Sequence, residues 1–148
     1  MKFSTRSRYG LRAMIELALH YQDKPVFLKD IAEHQNISMK YLDHIVSSLK
    51  ARGLIIRVKD GYVLGRAPSE INCAEIVNIL EGSFNPVVCL DSPSFCNKSD
   101  KCEARKVWEK VGSSLKETLE SFTLEDLIDH NAAKPRKNSK IKKGNSHG

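Results

Sequence analysis

A mainly α-helical fold is predicted, in which two helices joined by a tight turn carry a small β-hairpin and a long helix follows near the end of the chain. Three patterns predict it. Apolar residues at helical spacing lie on both sides of Gln35 and Asn36, Asp60-Gly61 separates two β-prone runs, and residues 103 to 122 carry a one-sided apolar stripe. A length of 148 residues suits one compact domain with a small appendage and falls short of a multi-domain enzyme. The chain is 41% hydrophobic and 28% charged, a balance that excludes a wholly disordered or membrane-embedded protein. No apolar run approaches the roughly 18 residues that span a bilayer, and the first residues lack the apolar stretch of a secretory signal, so a cytoplasmic protein is expected.

The first helix is expected from about residue 7 to 21, because Leu11, Met14, Ile15, Ala18 and Leu19 recur on one face. Asp23-Lys24-Pro25 stops it. A short helix over 28 to 34 turns Leu28, Ile31 and Ala32 inward and ends at Asn36, a residue that tolerates the left-handed conformation. Ser38 then caps a helix whose stripe is Leu42, Ile45, Val46 and Leu49, with Gly53 as its stop. Two β-prone runs, 54 to 59 and 62 to 64, flank Asp60-Gly61, a two-residue turn signal. Helix, turn, helix and hairpin in succession make a winged helix-turn-helix. A helix over 72 to 81 and a long polar stretch over 83 to 101 come next. The helix over 103 to 122 extends about 30 Å, and its Val107, Trp108, Val111, Leu115, Leu119 and Phe122 exceed what so small a domain can cover, which predicts pairing with a second copy. A short cap-started helix from Thr123 to about His130 ends the ordered part.

Charge and side-chain chemistry point to a polyanionic partner. Residues 1 to 66 carry a net +6, residues 67 to 131 a net −6 and residues 132 to 148 a net +6, so the basic face lies on the half that holds the helix-turn-helix. The outward positions Met39, Lys40, Tyr41, Asp43, His44, Ser47 and Ser48 offer donors, acceptors and a cation at the helix end that reaches base edges in the major groove. Arg57 and Lys59 sit where a wing meets the phosphate backbone.

Of the four cysteines, Cys73 falls on an apolar helix stripe and reads as a small core residue. Cys89, Cys96 and Cys102 fall within 14 residues, in the one long loop. An odd trio in a reducing compartment argues against structural disulfides. A soft metal or iron–sulfur cluster, a thiol redox switch and incidental cysteines stay open, and the absence of a C-x2-C pair weighs against zinc.

Four segments in order carry a resemblance over about residues 1 to 130. They are the opening Lys2-Phe3-Ser4-Thr5-Arg6-Ser7-Arg8-Tyr9-Gly10-Leu11, the stretch Ile37-Ser38-Met39-Lys40-Tyr41-Leu42, Gly61-Tyr62 before Val63-Leu64-Gly65, and the three-cysteine loop. Together they resemble the IscR-type family of bacterial winged helix-turn-helix transcription regulators. The resemblance implies a homodimer on double-stranded DNA, with a long crossing helix for dimerisation. In the family's cluster-binding branch three cysteines hold an iron–sulfur cluster, which carries over to Cys89, Cys96 and Cys102, with 2Fe–2S preferred to 4Fe–4S; other members are cluster-free. A histidine three residues after the last cysteine completes the cluster in some members, and Arg105 stands there, which cannot ligate at ordinary pH. An aspartate of the partner subunit does so in others, and Arg8 occupies the matching position. The fourth ligand stays open among Glu103, Asp91, Asp100 and an exogenous thiol. The first cysteine gap is one residue longer than in the cluster-binding pattern. The family's glycine-rich wing is shortened to Lys59-Asp60-Gly61, which favours phosphate contact by Lys59 over insertion into the minor groove.

The expected organisation is a winged helix-turn-helix domain over 1–82, a cysteine loop over 83–102, a dimerisation helix and short terminal helix over 103–131, and a disordered basic tail over 132–148. The expected function is a homodimeric transcription regulator, not an enzyme, that senses iron–sulfur status, nitric oxide or redox state. Ser38, Lys40, Tyr41 and His44 are expected on bases or phosphates, Asp43 on cytosine amino groups, and Arg57 and Lys59 on the backbone. Two competitors remain: the same DNA binder with a thiol redox or zinc site, and an iron–sulfur carrier without a DNA role. The basic recognition face weighs against the second, and no nucleophile–base pair or carboxylate dyad stands out to do chemistry.

Overall fold

The computed structural model describes residues 2–92, 94 and 101–129. Helix α1 spans Thr5–Leu19, two residues earlier than its apolar stripe suggests, because the Ser4 hydroxyl accepts the Ser7 N–H and fixes the start. Helix α2 spans Leu28–Gln35 and stops where Asn36 turns left-handed at φ 55°. Helix α3 spans Met39–Ala51, with Ser38 Oγ accepting the Tyr41 N–H at 3.1 Å. The turn between them is closed by Ile37 N–H on the Ala32 carbonyl at 3.0 Å. Strands β1 (Ile55–Val58) and β2 (Gly61–Leu64) pair antiparallel, from Ile55 opposite Leu64 to Val58 opposite Gly61. Helix α4 spans Cys73–Glu81, α5 Val88–Asp91 and α6 Ala104–Glu120, and a last helical run covers 124–129. This is the mainly helical, winged architecture expected.

The hairpin turn differs from the expectation by one residue. Lys59 and Asp60 form the loop, and neither has positive φ; Gly61 already belongs to β2. Glycine is needed there for another reason. Tyr62 exchanges two backbone hydrogen bonds with Val26, at 2.8 and 2.9 Å, and a Cβ on Gly61 would stand 2.6 Å from the Val26 carbonyl oxygen. With φ at +134° the position also lies where side chains are strained. Gly61→Ala is therefore expected to cost about 1–3 kcal/mol, read as a lowered urea midpoint; an unchanged midpoint contradicts this account.

Residues 83 to 101 are also not wholly irregular, since α5 forms among them and carries Cys89. A helix of four residues is too short to show a period in sequence.

The core gathers Met14 and Leu17 of α1, Ile31 of α2, Leu42, Ile45 and Leu49 of α3, Leu54, Ile55, Ile76, Leu80 and, from beyond α6, Leu124. Each such side chain contributes roughly 1.5–3 kcal/mol on burial. Leu124 is fully buried because Thr123 and Asp126 cap each other's N–H groups and the chain bonds back alongside α4, Cys73 N–H to the Phe122 carbonyl at 2.8 Å and Leu124 N–H to that of Ile71 at 2.9 Å. The terminal run thus shares the core of residues 1–82. Helix α6 buries only Gly112 against its own chain and leaves Val107, Trp108 and Val111 exposed, and Phe122 just beyond it is exposed as well. The basic tail from residue 132 lies outside the described residues, as does Cys96.

Candidate nucleic-acid interface

Packing of Leu42, Ile45, Val46 and Leu49 into the core turns the opposite face of α3 outward, and Ser38, Lys40, Asp43, His44 and Ser47 are exposed on it. Tyr41 sits differently. Its ring meets Tyr9 edge-on at 6.2 Å, and its hydroxyl hydrogen-bonds that of Thr5 at 2.6 Å, so it ties α3 to the start of α1. On the wing, Arg57 is opposite Tyr62, and its guanidinium lies over the Tyr62 ring 5.2 Å from the centroid. That stacking holds Arg57 close to the sheet, whereas Lys59 stands exposed in the turn. Between α3, the wing and the start of α2 opens a concavity of about 300 Å³ that Phe27, Lys29, Met39, Asp43, Arg57 and Lys59 line.

A second set of contacts joins α1 to the end of α4. Glu81 accepts hydrogen bonds from the backbone N–H and hydroxyl of Ser4 and from the hydroxyl of Ser7. Burial pushes its carboxyl upward, but these bonds, with the nearby charge of Arg6, outweigh it and hold the group below the ordinary carboxylate value. The sign follows: the brace is complete above that ordinary value and is lost as pH falls through the lowered one. Glu81→Gln is expected to flatten the acid side of the stability–pH profile, and an unaltered acid limb contradicts this.

The cysteines fall into two classes. Cys73 is buried in α4, and desolvation, helped by the charge of Asp126, raises its thiol pKa. Cys89 is half-buried on α5 and Cys102 is exposed just before α6; both are free thiols. Arg105 links their surroundings, giving one N–H to the Cys89 carbonyl at 3.1 Å and another to Glu109 at 2.8 Å. Gly112 allows α6 to approach the same segment, since a Cβ there would stand 2.9 Å from Asn85 Oδ1. Of the fourth-ligand candidates, Asp91 accepts from Asn85 and Ser83, which hold its carboxyl below the usual value, and Glu103 faces Lys106 at 3.3 Å. Asp100 lies outside the described residues. Among the described residues no three His, Cys, Asp or Glu side chains gather to hold a metal ion. Two free thiols, Cys89 on α5 and Cys102 at the end of the loop, form a donor set that suits thiolate ligation, with Cys96 between them in the chain.

A helix-turn-helix with an exposed polar recognition face, a two-stranded wing and an uncovered long helix are now in view, and residues 3–130 match the model of the family described as "Rrf2: Iron-dependent Transcriptional regulator". The chain belongs to the Rrf2 family. Its Rrf2 relatives include the HTH-type transcriptional regulator CymR of Bacillus subtilis, 39% identical over 133 residues that cover 88% of this chain and 91% of that one. The HTH-type transcriptional regulator IscR of Photorhabdus laumondii is 34% identical over 133 residues, covering 88% and 80%. Among solved structures, that of B. subtilis CymR superposes with a TM-score of 0.71 at 39% identity, covering 87% and 97% of the two chains, and that of T. potens IscR with 0.71 at 36%, covering 88% of each. The chain is accordingly a DNA-binding transcription regulator of winged-helix fold, and its relatives are regulators, not enzymes. No helix among the described residues is long and apolar enough to cross a membrane.

Sequence reasoning passed over Thr5, Ser7, Phe27, Lys29 and Glu81. Ser4 and Ser7 have the spacing of a capping pair, which local reading can find. Glu81 gives no such signal, since its partners lie 74 and 77 residues away.

Proposed function

We propose that this Rrf2 protein is a cytoplasmic homodimer that reads a palindromic operator and adjusts its grip through an iron–sulfur cluster held by Cys89, Cys96 and Cys102, with 2Fe–2S preferred to 4Fe–4S. The observation that carries the reading is the pair of free thiols, Cys89 on α5 and Cys102 just before α6, within the segment joining the winged domain to α6. Pairing through the exposed face of α6 sets two copies of α3 about 34–36 Å apart, one turn of duplex. Lys40, His44 and Ser38 then contact bases or phosphates, and Asp43 accepts from a cytosine amino group. Arg57 and Lys59 hold the backbone, and Tyr41 fixes the angle of α3 through Thr5. When bound, the cluster supplies a ligation state that responds to iron, nitric oxide or redox change.

The chain's own contacts offer a route from the loop to the reader. Glu81 ends α4 where the loop begins and grips Ser4 and Ser7, and Thr5 between them bonds Tyr41 of α3. A shift of the loop at Gly82 therefore bears on the start of α1 and, through it, on α3.

A second reading, a thiol redox or zinc site on the same DNA binder, is favoured by two observations. Arg105 takes the place of a histidine ligand, and the structure of the oxidized form of Staphylococcus aureus CymR superposes with a TM-score of 0.71 at 32% identity. Anaerobic isolation separates the two. Visible charge-transfer absorption, with operator binding that changes when the pigment is removed, supports the cluster; a colourless protein whose binding follows thiol oxidation supports the second reading.

A further inference from the structure

The concavity between α3, the wing and the start of α2 has a composition that base-pair hydrogen bonding leaves unexplained. Phe27 is 54% exposed and Met39 47% exposed, and neither belongs to the core. Phe27 precedes α2 and gives it no side-chain cap; Met39 is the first residue of α3. Lys29, Arg57 and Lys59 line the same concavity, with Asp43 as its one carboxylate. Two large apolar side chains held in water gain stability only when an apolar group displaces that water.

Charge and position decide the occupant. The lining has three cations against one anion, which suits a polyanion, and it is continuous with the exposed face of α3. On the major-groove edge of a duplex the apolar group is the 5-methyl of thymine. We propose that Met39 and Phe27 form an apolar seat for one thymine methyl in each operator half-site. The protein there selects thymine over cytosine and over an unmethylated uracil. Met39 reaches the base edge because the N-terminal end of the recognition helix enters the groove. Lys29, Arg57 and Lys59 take the flanking phosphates. Asp43, one helical turn along from Met39, accepts from a neighbouring cytosine. The inference rests on the reading of α3 as the base-reading helix.

The test enriches a site from a random duplex pool with the full-length, anaerobically isolated protein. Each thymine of that site is then replaced by deoxyuridine, which removes the methyl and nothing else. One position per half-site is expected to lose about threefold to fivefold in affinity, the scale of one buried methylene-sized group. Met39→Ala and Phe27→Ala each reduce that difference to below about twofold, while the circular dichroism of both variants stays that of the native fold. Equal methyl sensitivity in native protein and both variants, or none at any thymine, overturns the seat while leaving operator reading intact. A pool from which no sequence is enriched overturns both together. Light scattering without DNA provides the remaining arm: an assembly larger than a dimer that Phe27→Ala abolishes assigns the patch to contact between copies and overturns the proposal.

Discussion

Aspartate at both Val111 and Leu115 is expected to leave a folded monomer whose operator affinity has fallen by about a hundredfold or more. The two residues lie one turn apart on α6, where Val111 is 36% exposed and Leu115 is partly exposed. Only Gly112 of that helix is buried against its own chain, so the winged domain loses little when its neighbours change. In the proposed dimer paired copies place the same face on itself, and four carboxylates then enter an apolar seam without partners. Loss of the second recognition helix removes the gain from linked half-sites, which spans roughly 10²–10⁴ in affinity. Sedimentation and a shift assay read both effects. A variant that sediments as a dimer with native affinity contradicts the assignment of α6.

Serine at Cys89 or at Cys102 is expected to abolish the visible pigment of anaerobically isolated protein, whereas alanine at Cys73 leaves it intact. The contrast follows from burial. The Cys73 thiol is 3% exposed in the core, and desolvation opposes the thiolate that iron requires. Cys89 is half-buried and Cys102 is exposed. Serine keeps the volume and loses the soft donor, so a folding defect is not the expected cause of bleaching. Retention of full absorption in the Cys102→Ser protein contradicts the ligand assignment.

What could be read in the sequence was what local pattern records. The stripes of α1, α3 and α6 repeat every turn, and Ser38 and Asn36 mark helix ends by their own conformational preferences, so helices and caps were legible. The uncovered face of α6 was legible for the same reason. Contacts between distant segments were not. Gly61 was read as a turn residue because Asp-Gly is a local signal, while its actual constraint comes from Val26, brought alongside by the fold. Glu81 carries no local signal of its role, because Ser4 and Ser7 reach it from far along the chain. Tyr41 read as outward because its spacing allows it, and only the packing of α1 against α3 shows Tyr9 and Thr5 waiting for it. The mixed polar and apolar outline of the concavity at Met39 needed α2 and the wing side by side.

In the proposed mechanism the cysteine loop governs how firmly two copies of α3 hold duplex. This control is tested most directly by operator affinity at one fixed salt concentration, for the anaerobically isolated protein and for the variant with Cys89, Cys96 and Cys102 all replaced by serine. A pigmented native protein and a colourless variant that differ in affinity or sequence preference by about tenfold or more is the predicted result, a difference of about 1.4 kcal/mol in coupling between loop and reader. Equal affinity and equal preference in the two proteins would contradict it.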